Sequence, residues 1–66
     1  MSDVLTESAG DERRLAEHLQ RAGELLRGEK LDEAEREIEC ALRIRPQDLR
    51  ARNLRGLFLF RAARYD

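Results

Sequence analysis

The sequence predicts an all-α chain of three antiparallel helices, on three observations. Apolar residues recur at helical spacing in three stretches. Gly28 and Pro46 punctuate those stretches. The chain also resembles itself at a spacing of 34 residues. Leu15 matches Leu49, Ala22 matches Gly56, Leu25 matches Leu59 and Arg27 matches Arg61, and the pattern runs on through Lys30/Arg64, Leu31/Tyr65 and Asp32/Asp66. A repeat of this length is one helix–turn–helix unit that buries its apolar face by stacking on neighbours.

Residues 1–10 show no sustained periodicity and are expected to be a flexible N-terminal tail. Ser8 followed by Asp11 resembles a helix start. The helical domain is expected over 11–66. Its first helix runs over about 11–27, where Leu15, Leu19, Ala22 and Leu26 form one stripe and Gly28 supplies the stop. The second helix runs over about 31–44, with Leu31, Ala34, Ile38, Ala41 and Leu42 as its stripe. Acids fill its first turn and Arg43 and Arg45 its end, the order that suits the helix dipole. Pro46 biases Arg45 away from helical geometry. The third helix starts near Asp48, a suitable N-cap, and runs to about Ala63. Leu57, Phe58, Leu59 and Phe60 wrap more than half its circumference, so it should be covered on more than one side.

Composition narrows the function classes. Sixty-six residues make one small domain with a marginal core. The lone cysteine, Cys40, excludes an internal disulfide and a cysteine zinc site, and fits a reducing, cytoplasmic compartment. No run of 18 apolar residues occurs, and the acidic N-terminus is not a signal peptide. Residues 1–40 carry twelve acids and six bases, whereas residues 41–66 carry seven arginines and two acids. Such a chain can attract copies of itself head to tail. Twelve of the thirteen bases are arginine, the usage of a GC-rich bacterial genome.

Residues from about Ala16 to Asp66 resemble the tetratricopeptide repeat family. The resemblance is carried by Leu31-Asp32-Glu33-Ala34, Ala41-Leu42 and Pro46, and by the partial second copy Ala51, Gly56, Leu59 and Arg64-Tyr65-Asp66. It implies an α-solenoid fragment: one complete repeat plus the first helix, helix A, of a second. It also implies that Ala34 lets the two helices of the repeat approach closely and that Ala41 packs under the next repeat. His18 and Arg52 stand where the family has a large apolar residue, and Arg21 and Arg55 where it has leucine. Either the register of helix A slips, or these arginines lay their methylenes along the helix with the guanidinium in water. That both copies share the departure favours the second.

The resemblance implies a partner-binding groove lined by helix A side chains: Leu19, Gly23, Leu26 and Arg27 from the first copy, and Asn53, Leu57, Phe60 and Arg61 from the second. Phe58 joins the apolar run that a partner would cover. Leu19 and Gly23 stand where the carboxylate-clamp variety has lysine and asparagine, so that specialisation is not expected. The expected function is a non-enzymatic interaction scaffold, self-associating as a homo-oligomer or docking a partner helix or peptide. The alternative is nucleic-acid or anionic-surface binding by the arginines at 43, 45, 50, 52 and 55. No phosphate loop, nucleophile–histidine set or paired carboxylates suggest an enzyme, a cofactor or a metal. His18 has no metal ligand at helical spacing, and acids flank Cys40.

Overall fold

The computed structural model describes the backbone of residues 2–64 and the side chains of residues 10–64. The matches at Tyr65 and Asp66 lie outside the described residues. Three helices account for nearly all of this span: α1 (Ser2–Arg27), α2 (Leu31–Ile44) and α3 (Leu49–Ala63). α1 and α2 form the main interface, and α3 packs on α2 with a smaller contact to α1.

α1 begins at Ser2, not near Asp11, so the segment expected to be a tail has a helical backbone. No proline falls in it, and Gly10 is exposed with nothing within 4 Å of a Cβ built there. An exposed mid-helix glycine costs about 1 kcal/mol relative to alanine and does not by itself end a helix.

The stop of α1 also differs from expectation. Gly28 does not take the left-handed conformation; Glu29 does, at φ 60°. The Glu29 N–H donates to the Leu26 carbonyl at 3.1 Å and the Lys30 N–H to the Leu25 carbonyl at 2.9 Å. These two bonds make a Schellman motif with Glu29 at the position usually held by glycine.

α2 ends as its sequence predicts. Arg45, held extended by Pro46, has φ −141° and ψ 95°, and its N–H closes the helix on the Ala41 carbonyl. Asp48 then caps α3, its carboxylate accepting from the amides of Arg50 (2.9 Å) and Ala51 (3.1 Å).

The core consists of Leu15, Leu19, Ala22 and Leu26 from α1, Ala34, Ile38 and Ala41 from α2, and Ala51 from α3. Four of these eight are alanine, which lets the helix axes come close. Ala41 and Ala51 share one cluster with Leu15 and Leu19, so α3 seats on the small side chains of α2. The inward stripe of α1 is the one its apolar spacing gives. His18 is half-buried at the α1–α2 edge, its Nδ1 2.6 Å from Glu37 Oε1. Arg21 is outward, its Nε 3.8 Å from the same carboxylate.

Candidate functional site: the uncovered sides of α3

The third helix lacks an acid and carries Arg50, Arg52, Arg55 and Arg61. Its inward face is Ala51, Leu54 and Phe58. The rest of its apolar content faces out: Leu49 is 72% exposed, Leu57 42%, Leu59 54% and Phe60 61%. Residues spaced by 34 are therefore alike in sequence without sharing an environment. Leu15 is 0% exposed and Leu49 72%; Ala22 is buried and Gly56 exposed. The reason is packing. α2 covers α1, whereas among the described residues no element covers the corresponding face of α3.

Concavities run along both sides of α3. One is an open cleft of about 470 Å³ between the α1–α2 turn and the C-terminal half of α3, lined by Glu29, Leu31, Leu57, Phe60, Arg61 and Arg64. Its lining combines Leu31, Leu57 and Phe60 with two arginines, and the Arg64 guanidinium stacks 5.1 Å from the Phe60 ring centre. The other follows the α2–α3 seam, where Leu42, Pro46, Arg52, Arg55, Gly56 and Leu59 enclose about 460 Å³ of shallow space. It continues into a crevice where Phe58 and Leu59 meet Ile38, Leu42, Glu35 and Glu39 of α2.

The residues expected to line one groove separate. Leu57, Phe60 and Arg61 meet in the first cleft. Leu19 and Leu26 are corrected: both are core residues, 8% and 1% exposed, and offer no surface to a partner. The repeat resemblance assigns them to the groove lining, but their i, i+7 spacing puts them on the stripe that α2 covers. Phe58 is half-buried against α2 rather than free. Arg27 and Asn53 are exposed and stand apart from the cleft lining, and Gly23 has open space where a Cβ would project. Arg61 already has a structural bond: its Nη1 donates to the Leu26 carbonyl at 2.9 Å, tying α3 to the end of α1. Glu29, Leu31 and Arg64 were missed; the 34-residue pairs Lys30/Arg64 and Leu31/Tyr65 were the signal near them.

The expected arginine patch is divided by ion pairs. Glu12 of α1 binds Arg45 at 2.7 Å and Arg50 at 3.0 Å, and Arg50 also contacts Asp48 at 3.1 Å. The hydrogen bond from Arg50, helped by the Ala51 and Arg50 amides, holds the Asp48 carboxyl below the usual aspartate range. Asp48 and Glu12 in turn hold the Arg50 guanidinium above its ordinary value. Cys40 is half-buried. Among the described residues, no three metal-binding side chains cluster and no helix is long and apolar enough to cross a membrane. Comparison with protein-family models, with curated proteins and with solved structures finds no match for this chain.

Proposed function

We propose that this chain is a non-enzymatic protein–protein interaction module of tetratricopeptide-repeat type, with α3 as its docking helix. The family reading rests on the Ala34–Ala41–Pro46 spacing and the repeat at 34 residues. The observation that carries the docking role is the outward display of Leu57, Leu59 and Phe60 on a helix whose arginines have no acid beside them on the same helix. Exposed apolar groups grouped in this way mark interaction surfaces. A cytoplasmic setting fits the lone Cys40. Phosphate binding by the arginines is the weaker reading, because Arg45 and Arg50 are occupied by Glu12 and Asp48.

The test is the mass of the chain in solution by light scattering over a concentration series. It is run beside Leu57→Glu/Leu59→Glu/Phe60→Glu, whose helicity is checked by circular dichroism. The wild-type mass should rise with concentration and the triple variant should stay monomeric. A rise that the triple variant shares would exclude α3 as the docking element.

A further inference from the structure

The seam between α2 and α3 has an ordered charge pattern. On its α2 side Glu35 and Glu39 stand at i, i+4; on its α3 side Arg52 and Arg55 stand at i, i+3. All four side chains are exposed, and among the described residues none of them makes an ion pair. Between the two rows lies an apolar strip of Leu42, Pro46 and Leu59, open above Gly56, where nothing approaches within 4 Å of a Cβ position. The seam is therefore acidic at Glu35 and Glu39 on one helix, basic at Arg52 and Arg55 on its neighbour and apolar in between.

We infer that this seam is a homodimer interface, with two copies meeting face to face about a two-fold axis that runs along the seam. The inference rests on the interaction-module reading and names the partner: a second copy. A two-fold axis parallel to the helices lays α2 of each copy over α3 of the other. The carboxylate row of one chain then faces the guanidinium row of its partner, twice over, and Leu59 of each copy meets Leu42 of the other. A two-fold axis across the helices would set acids on acids and arginines on arginines, so the charge order selects the axis. An interface of this kind is self-complementary and closes at two copies. A nucleic acid would meet the Glu35 and Glu39 row on this face and be repelled by it.

The experiment is reciprocal charge reversal, read by sedimentation or light scattering on the full chain. Glu35→Arg/Glu39→Arg and Arg52→Glu/Arg55→Glu should each raise the dimer dissociation constant at least about tenfold. Mixing the two variants should restore association as a heterodimer, because each contact then sets two arginines of one chain against two acids of the other. One chain carrying all four reversals should dimerise again, since both rows are complementary once more. Dimerisation should also weaken as salt rises toward about 1 M, where the screening length falls to roughly 3 Å. Association that ignores the four charges, or a fourfold variant that stays monomeric, overturns this interface. In the first case the interaction-module reading survives if the Leu57, Leu59 and Phe60 variant still abolishes association. A wild-type chain that is monomeric at every concentration overturns both.

Discussion

Glu29 occupies the left-handed position at φ 60°, beside a glycine that does not need its own freedom. A non-glycine residue pays about 1–2 kcal/mol for that conformation. Glu29→Gly should therefore stabilise the chain by about 1 kcal/mol, measured by urea denaturation. Gly28→Ala should also stabilise, by about 0.5 kcal/mol, because its Cβ would sit in ordinary contact 3.6 Å from the Glu24 carbonyl oxygen. If Gly28→Ala destabilises instead, the turn is built as the bare sequence suggests and not as described. Asp48 carries a second residue-scale prediction. Its carboxyl is held below the ordinary value of 3.8, first by the Arg50 side chain. The cap is thus fully effective above that value, and its contribution disappears as pH falls through the lower folded pKa. Asp48→Asn keeps the cap geometry and should flatten this part of the stability profile between about pH 5 and pH 2. An unchanged acid limb would mean the carboxylate is not the titrating group.

At the scale of elements, the helices were legible where a local signal acts alone. The α2 bounds follow from an apolar stripe, acids in the first turn and Pro46, and the α3 start follows from Asp48. The α1 start was not legible, because Gly10 weakens a helix without stopping one. The repeat pattern assigns Arg61 to partner binding, yet it bridges from α3 to the Leu26 carbonyl, a pairing across 35 residues that no periodicity reveals. Arg61→Met keeps the stem and removes the bond. It should cost about 1 kcal/mol and loosen α3 first, visible as faster amide exchange in α3 than in α2. Exchange in α3 that Arg61→Met leaves as in the wild type would return Arg61 to the pool of free surface residues.

Over the whole molecule, a small core leaves little margin, so the close approach of helices matters. Ala41 and Ala51 are both fully buried where α2 meets α3. Ala41→Leu should push α3 away at a cost of about 1–3 kcal/mol, seen as a lower urea midpoint. A neutral outcome would mean that α3 is not seated on α2. The sequence by itself determined that there are three helices, the inward stripe of α1, the stop at Pro46 and the start at Asp48, because helical period, proline geometry and capping are local. Only the tertiary structure decided that Phe58 turns to α2, and that Leu49, Leu59 and Phe60 face out. Burial depends on which helix lies across from a residue. Residues 34 apart can carry the same side chain and still meet a neighbour in one copy and solvent in the other.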